Sequence, residues 1–305
     1  MINYKDKYHN HFDNSLKVLP HNLLRDKNFL VRFNTPIDYY KFIEHSFSLV
    51  YIHKGAGNII LDKKSIPFKD NSFLLTNAER DWEFINNTNN YLDVYSFVLS
   101  NKLLRDFLKV QKNSTEKLLD SSYALPNQLD SYFIENCFNA NFSKTGRLLQ
   151  YFFSISNTAQ YNMYNAKEIV FEILSTLYFE QNKTYKKIND IKGKKISTKI
   201  EIFKRLLTAN DFINDTIYDT ITIKDIAESC NMSEYHLYES FKKLFRLTPY
   251  QYITHLKMEK AKTYLNQESI SVSEVAYKLG YTDLPTFSKA FKRKYNYNPS
   301  SFIYK

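Results

Sequence analysis

The 305-residue sequence has little cysteine and little glycine, with two and five residues of these types. Cys137 and Cys230 are too few for a disulfide framework or a cysteine-rich zinc site. No segment approaches the ~18 consecutive apolar residues of a membrane-spanning helix. Residues 1–10 are polar and lack the apolar centre of a signal peptide. These absences predict a soluble protein of the reducing cytoplasm, with no membrane partner.

Positive charge is concentrated near the C-terminus. The chain carries 42 lysines and arginines against 32 aspartates and glutamates, a net charge of +10. Residues 242–305 hold 12 basic and 4 acidic side chains, so this segment contributes +8. Such an excess favours a polyanionic partner, with an affinity that falls as salt rises.

Residues 221–301 contain one pattern twice. In each copy an apolar residue precedes a hydroxyl residue, and a carboxylate follows three positions later. These residues are Ile221, Thr222 and Asp225, and then Ile270, Ser271 and Glu274. A hydroxyl at the N-cap and a carboxylate at N3 satisfy unpaired N–H groups reciprocally, and the apolar residue packs on N4. The repeat predicts two short helices with matching N-termini.

A tight turn and a second helix follow in each copy. The turn residues are Asn231 and Gly280, the types that enter left-handed backbone space most readily. Ser233 and Asp283 are the predicted N-caps of the second helices, and the second copy has one extra turn residue, Thr282. Each copy therefore predicts a helix-turn-helix unit.

Each second helix has an apolar face and a polar face. The apolar residues recur at helical spacing: Leu237, Phe241, Leu244, Phe245, Phe287, Phe291 and Tyr295. The opposite stripe is what a recognition helix presents to a DNA major groove. The predicted DNA-binding residues are Ser233, Tyr235, Tyr238, Glu239 and Lys242, and Leu284, Pro285, Thr286, Ser288, Lys289 and Lys292.

A longer helix is expected between the two units. Thr248 and Pro249 predict its N-cap and first residue, and it ends near Leu265. Tyr252, Leu256 and Leu265 are expected on its inner face. At ~1.5 Å per residue it spans ~25 Å, enough to hold two recognition helices in successive grooves ~34 Å apart.

On these motifs, residues 200–301 resemble the DNA-binding domain of the AraC family of bacterial transcription regulators. The residues that carry the resemblance lie in both copies and in the helix between them: Ile226-Ala227, Met232-Ser233, Leu237, Phe241, Thr248-Pro249, Tyr252-Ile253, Ala261, Leu265, Val275-Ala276, Leu279-Gly280-Tyr281, Phe287, Phe291 and Pro299. The resemblance implies seven helices and an asymmetric DNA site spanning two major grooves. It also implies double-stranded DNA and RNA polymerase as partners, and a location on the nucleoid when DNA is bound.

The first recognition helix departs from the family pattern. Glu239 stands where the family usually has arginine. A glutamate can accept a hydrogen bond from cytosine N4 but repels phosphate. A local pairing of Glu239 with Lys242 or Lys243 is the alternative to base contact.

Other departures lie at helix ends. The family's glycine after each recognition helix is Arg246 in the first copy and Asn296 in the second. Asparagine tolerates a left-handed C-cap, whereas Arg246 is expected to be strained or to end its helix differently. Lys257 replaces a common arginine on the linking helix, and Lys289 keeps the basic character of a DNA-contacting position.

The N-terminal part of the sequence alternates short β-prone runs with turns. The predicted strands cover residues 47–52, 58–61, 65–68, 72–75, 82–85 and 91–99. This spacing predicts an all-β barrel or sandwich, and the resemblance implies a cupin-like effector domain. The predicted fold class is α+β: an N-terminal cupin-like β-barrel with a helical segment, and a C-terminal all-α domain with two helix-turn-helix units.

The β-domain lacks the ligands of a metal-dependent cupin enzyme. Such sites need a His-x-His pair, a carboxylate and a third histidine, whereas His45 and His53 stand eight residues apart. No metal, cofactor or catalytic residue is therefore predicted, and both histidines are expected to be structural or on the surface.

An effector site is one interpretation of the aromatic residues in the β-domain. Arg32, Tyr51, Trp82 and Tyr95 supply aromatic faces and a forked donor, which suit a small molecule such as a sugar or an anion. Ordinary aromatic packing is the alternative.

Four segments are predicted along the chain: an effector domain over 1–125, a helical dimerisation segment over 126–180, a lysine-rich linker over 181–199, and the DNA-binding domain over 200–305. Family members dimerise through helices at the second position, which implies a homodimer. Packing of those helices onto the barrel explains the same apolar residues, so both possibilities stay open.

The leading hypothesis is a sequence-specific transcription regulator, an activator controlled by a small molecule. The alternative is a ligand-independent regulator whose β-domain is a protein-interaction or dimerisation module. A DNA-repair enzyme has little support, because Cys137 is the single cysteine outside the DNA-binding domain. The protein is predicted not to be an enzyme.

Overall fold

Among the described residues, strands dominate up to residue 99 and helices dominate beyond it. The computed structural model describes residues 28–35, 39–44, 46–78, 80–86, 92–115, 133–193, 195–266 and 270–303. The chain divides into two compact units, Met1–Thr184 and Tyr185–Lys305. The predicted α+β class is confirmed.

The first unit contains two antiparallel sheets. The strands are β1 (Phe29–Thr35), β2 (Tyr39–Glu44), β3 (Phe47–Lys54), β4 (Gly57–Leu61), β5 (Lys64–Phe68), β6 (Ser72–Thr76), β7 (Arg80–Asn86), β8 (Leu92–Leu99) and β9 (Asn136–Asn139). One sheet has the order β1-β8-β3-β6-β9 and the other β2-β7-β4-β5. The six predicted strands correspond to β3–β8.

Three strands fall outside the sequence prediction. β1 and β2 precede the predicted strand region, and β9 lies inside the segment predicted to be helical. β9 has four residues, too few for a periodic pattern, and is fixed by pairing with the edge of β6, for example Phe73 with Phe138. Long-range pairing of this kind leaves no local signal in the sequence.

Each face of the five-stranded sheet belongs to a different core. Between the sheets, Ile52 and Val94 of one pack with Ile59, Trp82 and Phe84 of the other. The opposite face of the five-stranded sheet is covered by helices, and here Leu49, Tyr51, Phe73 and Tyr95 pack with helical residues. Successive side chains of a strand point to opposite faces, so β3 and β8 serve both cores.

The helices of this region pack onto the sheet. They are α1 (Asn101–Thr115), α2 (Lys144–Ile155) and α3 (Ala166–Asn189). Their apolar residues Leu149, Phe152, Ile169, Ile173, Leu174 and Leu177 are buried in the same core as Tyr51 and Tyr95. Packing onto the β-domain therefore accounts for these residues, and they are not free to form a dimer interface.

The segment predicted as a lysine-rich linker is largely helical. The sequence analysis places this linker over residues 181–199, where α3 continues to Asn189 and the next helix begins at Ile196. Lysine has good helix propensity, so the high lysine content of this segment does not prevent a helix. Gln181 and Ile188 are buried and supply packing contacts. The remaining predicted domain boundaries stay predictions.

The second unit contains seven helices among the residues described beyond position 195. They are α4 (Ile196–Asp215), α5 (Ile223–Ser229), α6 (Glu234–Phe245), α7 (Pro249–Leu265), α8 (Val272–Lys278), α9 (Leu284–Tyr295) and α10 (Ser300–Ile303). Helix α7 has the predicted ends, but its buried face differs. Ile253, Lys257, Met258, Ala261 and Leu265 are buried, whereas Tyr252 and Leu256 are half-buried.

Candidate DNA-binding surface

The first helix of each unit begins with a capping box. Thr222 Oγ1 accepts from Asp225 N at 3.2 Å, and Asp225 Oδ2 accepts from Thr222 N at 2.9 Å. In the second unit the corresponding distances are 3.2 Å for Ser271 Oγ and 2.7 Å for Glu274 Oε2. The hydroxyl and then the backbone N–H of Thr222 and of Ser271 donate to these carboxylates, which holds the pKa of both carboxyl groups below the usual range. The predicted duplication of the cap is confirmed.

The turns use the predicted left-handed residues. Asn231 has φ 52° and Gly280 has φ 72°. A Cβ at position 280 would lie 2.8 Å from the carbonyl oxygen of Tyr218, so this turn also requires glycine for space. The turns let α6 pack on α4 and α5, and α9 pack on α7 and α8.

Each recognition helix starts at a side-chain cap. Ser233 Oγ accepts from His236 N at 3.3 Å, and Asp283 Oδ1 accepts from Thr286 N at 2.7 Å. The predicted apolar face of each helix is its buried face, because Leu237, Phe241 and Leu244 are inside in the first copy and Phe287 and Phe291 in the second. The predicted DNA-binding stripe is therefore on the open side of each helix.

The stripe of α6 is aromatic and of mixed charge. Tyr235 is 73% exposed and Tyr238 is 41% exposed, and Ser233 and Lys242 are exposed as well. Glu239 is half-buried, and its Oε2 lies 3.7 Å from Lys192 Nζ. Of the two predicted alternatives for Glu239, one was a local ion pair with Lys242 or Lys243; the ion pair of the structure is with a lysine 47 residues earlier in the chain. Two residues so far apart in sequence give no local signal.

The stripe of α9 is basic. Pro285, Thr286, Lys289 and Lys292 are exposed, and Leu284 and Ser288 are half-buried. Arg293 is exposed next to them, which extends the positive surface beyond the predicted stripe. The third basic residue in this run, Lys294, points to α7, where it pairs with Glu259 and donates to His255 O at 3.0 Å.

The two recognition helices have the same length and the same type of C-cap, but they carry opposite charges at one equivalent position. Counting from the N-caps Ser233 and Asp283, Glu239 and Lys289 are equivalent residues. At the helix ends Arg246 has φ 62° and Asn296 has φ 65°, so both adopt the left-handed C-cap. Of the two predicted outcomes for Arg246, the left-handed strained one is the one observed.

Helix α7 connects the two units and carries a buried lysine. Lys257 is 8% exposed, and its Nζ donates to the carbonyl oxygen of Asp219 at 3.3 Å. A Cβ at Gly280 would lie 3.2 Å from the same nitrogen. Burial lowers the pKa of Lys257, and the nearby Asp219 partly offsets this shift. One ammonium group therefore ties the segment before α5 to α7 and lies close to the turn before α9.

The predicted effector residues do not come together in one pocket. Tyr51 and Tyr95 are at most 1% exposed on the helix-covered face of the five-stranded sheet. Trp82 is 2% exposed in the other core, between the two sheets. The sequence shows that all of these positions lie in strands, but not which face each side chain points to. The predicted grouping of Trp82 with the other three residues is wrong.

Arg32 lies in a polar cluster under α2. Its Nη2 is 3.3 Å from Asp93 Oδ2, its Nη1 donates to Ser156 Oγ at 2.8 Å, and its guanidinium lies 3.9 Å from the centre of the Phe153 ring. His53 stacks on the same ring with centroids 4.4 Å apart. His53 is thus a packing residue, as predicted, whereas His45 lies outside the described residues.

Within the described ranges no group of three or more His, Cys, Asp or Glu side chains is placed to hold a metal ion. Cys230 is buried, its pKa is raised by burial, and its Sγ lies 3.2 Å from Ile226 O; Cys137 is half-buried. In the described part of the chain, no helix is both long and apolar enough to span a bilayer.

The basic double unit is matched by known proteins. Residues 226–304 match the family described as "Helix-turn-helix domain". The chain is 35% identical over 94 residues to the lactose operon transcription activator of Staphylococcus xylosus, which is 31% of this chain and 34% of that protein. It is 31% identical over 88 residues to the HTH-type transcriptional activator RhaS of Escherichia coli, 29% of this chain and 32% of that protein.

A third relative has an enzymatic part. Over 92 residues the chain is 29% identical to the bifunctional transcriptional activator/DNA repair enzyme AdaA of Bacillus subtilis, which is 30% of this chain and 44% of that protein. The chain therefore matches less than half the length of each of these relatives, and the match falls in the DNA-binding region.

Proposed function

We propose that this chain, whose C-terminal domain is an AraC-type helix-turn-helix domain, is a sequence-specific DNA-binding transcription regulator. The observation that carries the proposal is the duplicated unit, in which two recognition helices bury apolar faces and expose stripes at equivalent positions. The basic residues Lys289 and Lys292 on the exposed side of α9 supply charge for phosphate and base contacts.

The proposed mode of control is activation. Relatives named as transcription activators, including that of the lactose operon in Staphylococcus xylosus, match this chain over the DNA-binding segment. The chain would act in the cytoplasm on double-stranded DNA, with RNA polymerase as the further partner. A homodimer would place two such domains on one regulatory region.

A small-molecule effector is the proposed signal. An effector can switch the protein only if it binds one arrangement of the chain better than another. Among the predicted effector residues, Arg32 is the strongest candidate for contacting an effector. Its guanidinium is partly exposed and lies beside Asp93, Ser156 and Phe153. A forked donor beside an aromatic ring suits a sugar or an anion.

A second candidate function is a regulator without a small-molecule ligand, whose N-terminal unit is an interaction module. The observation in its favour is the exposed apolar surface of α1 and α3, where Val110 is 62%, Phe171 41% and Phe179 66% exposed. Exposed aromatic residues on neighbouring helices are typical of protein-binding surfaces.

The experiment that tests the proposed function is a selection of genomic fragments by the purified full-length chain at near-physiological salt. We expect a sharp motif with two half-sites about one helical turn apart, ~10 bp. Enrichment without a motif would contradict sequence-specific recognition.

The two forms of regulation are separated by ligand titration. The heat of binding is followed by isothermal titration calorimetry while sugars and small anions are added to the full-length protein. A saturable change that Arg32→Gln abolishes would support the effector. If no compound of the panel gives a change, the interaction-module candidate is favoured.

A further inference from the structure

The segment just before α4 contacts the first recognition helix at two points. Asp190 pairs with Arg246 at the C-cap of α6, and Lys192 pairs with Glu239 within the helix at 3.7 Å. Glu239 and Arg246 are seven residues apart, so they lie two helical turns apart on one side of α6. We call residues 190–193 the connector.

The connector is anchored in the domain. Ile188 and Ile191, on either side of Asp190, are 0% and 2% exposed. The backbone N–H of Ile191 donates to Ile188 O at 3.0 Å, and Lys199 Nζ donates to Asn189 O at 2.7 Å. These contacts fix the backbone around Lys192, while its own side chain stays 63% exposed.

The charge of α6 is the reason to assign Lys192 a role. In the second unit the equivalent of Glu239 is Lys289, so the groove-facing stripe carries two lysines, Lys289 and Lys292. In the first unit the stripe carries Glu239 and Lys242, whose charges cancel. Lys192 restores a positive charge at the position where the second unit has its own lysine.

We propose that the connector is part of the DNA-binding surface and that Lys192 contacts a backbone phosphate beside α6, while also neutralising Glu239. The inference rests on the proposed function. A helix in the ~12 Å major groove has a row of phosphates on either side, and a lysine at the edge of the stripe reaches such a row. An ion pair this close to solvent contributes little net stability, so Glu239 positions the ammonium group without withdrawing it from a phosphate.

The test is the binding of full-length Lys192→Gln to a duplex that carries the motif selected by the wild-type protein, measured by fluorescence anisotropy over a salt series. We expect an affinity loss of about fivefold or more and a salt slope smaller by about one. Lys186→Gln is the matched control, because Lys186 is also exposed in the last turn of α3. It is expected to leave affinity and slope unchanged.

A second variant distinguishes neutralisation of Glu239 from a structural role. In Glu239→Gln/Lys192→Gln no unpaired carboxylate faces the DNA, so part of the affinity lost in Lys192→Gln should return. All variants should unfold at the wild-type temperature, because the pair is exposed.

Two results would overturn the inference. An unchanged salt slope in Lys192→Gln would show that Lys192 contacts no phosphate. Tighter binding by Lys192→Gln would show that the connector covers α6 and competes with DNA. A wild-type chain that selects no motif would instead contradict the proposed function itself, so the two failures are distinguishable.

Discussion

At the scale of single residues, the two helix-turn-helix turns differ in how strongly they constrain their left-handed residue. Asn231 and Gly280 have similar positive φ, but only Gly280 faces a backbone atom at the place where a Cβ would stand. Asparagine already accepts the left-handed region at low cost. The second turn therefore tolerates substitution less well than the first.

Gly280→Ala is expected to lower the free energy of unfolding by about 2 kcal/mol or more, of which roughly 1–2 kcal/mol comes from the left-handed conformation and the rest from the collision with Tyr218 O. Asn231→Gly, the control, is expected to change stability little. Urea unfolding of the full chain measures both, and a Gly280→Ala protein as stable as wild type would show that the turn can move.

The charge of Lys289 gives a second prediction at this scale. Lys289→Glu should weaken binding to the selected duplex by about tenfold or more, because a base- or phosphate-contacting cation is replaced by an anion. Lys186→Glu, outside the recognition helices, should have little effect. Equal losses in an anisotropy titration would mean that α9 is not the second recognition helix.

At the scale of helices, the caps explain why the duplicated pattern could be recognised in the sequence. Each N-cap side chain accepts a hydrogen bond from the backbone N–H three residues later, and these N-caps are Thr222, Ser233, Ser271 and Asp283. For α7, Thr248 and Pro249 predict the start of the helix, and the structure adds Gln251 as the N3 residue that completes the capping box. Such contacts depend on adjacent residues alone, so they can be predicted from local sequence.

Contacts between distant residues could not be predicted in this way. The pair of Lys192 and Glu239 depends on where the chain passes before α4, and the separation of Trp82 from Tyr51 depends on strand register and face. Lys257 was predicted at a family position but not as a buried residue, because a lysine on an apolar face breaks the hydrophobic pattern. The helix caps of the two units and strands β3–β8 are thus predictable from local sequence, whereas β1, β2, β9 and the partners across elements are not.

The capping carboxylates predict how stability depends on pH. The folded-state pKa values of Asp225, Glu274 and Asp283 are lowered by hydrogen bonds to their capped N–H groups and hydroxyls. A lowered pKa contributes stability above the unfolded-state value, and this contribution is lost as pH falls through the folded-state value. Stability should therefore decline below about pH 4.5, the ordinary range of these groups.

Glu274→Gln is the variant that tests this dependence. Glutamine keeps an acceptor for Ser271 N but does not titrate. We expect the variant to be less stable than wild type at neutral pH and to approach it in acid, as measured by urea unfolding between pH 7 and pH 3. If the free energies of unfolding of the two proteins changed in parallel with pH, the titration of Glu274 would not contribute to the pH dependence of stability.

At the scale of the whole molecule, the exposed aromatic residues of α3 predict self-association. Because the apolar residues first considered for dimerisation are buried in the core, the surface left for it contains Phe171 and Phe179. Phe179→Glu should convert a dimer of the full chain into monomer in sedimentation velocity, whereas Phe142→Glu, at another exposed aromatic, should not. A wild-type chain that is monomeric at all concentrations would contradict the prediction.

The buried ammonium of Lys257 also bears on which half-site spacings the domain is expected to bind. It joins the carbonyl of Asp219 to α7 next to the Gly280 turn, and both recognition helices pack on α7. B-DNA completes a turn in about 10.5 base pairs, so one inserted base pair rotates the second half-site by roughly 34°. Two helices that pack on one common helix are not expected to follow that rotation. We therefore predict that spacer length contributes to the specificity of DNA binding, with a single helical phase of the duplex accepted.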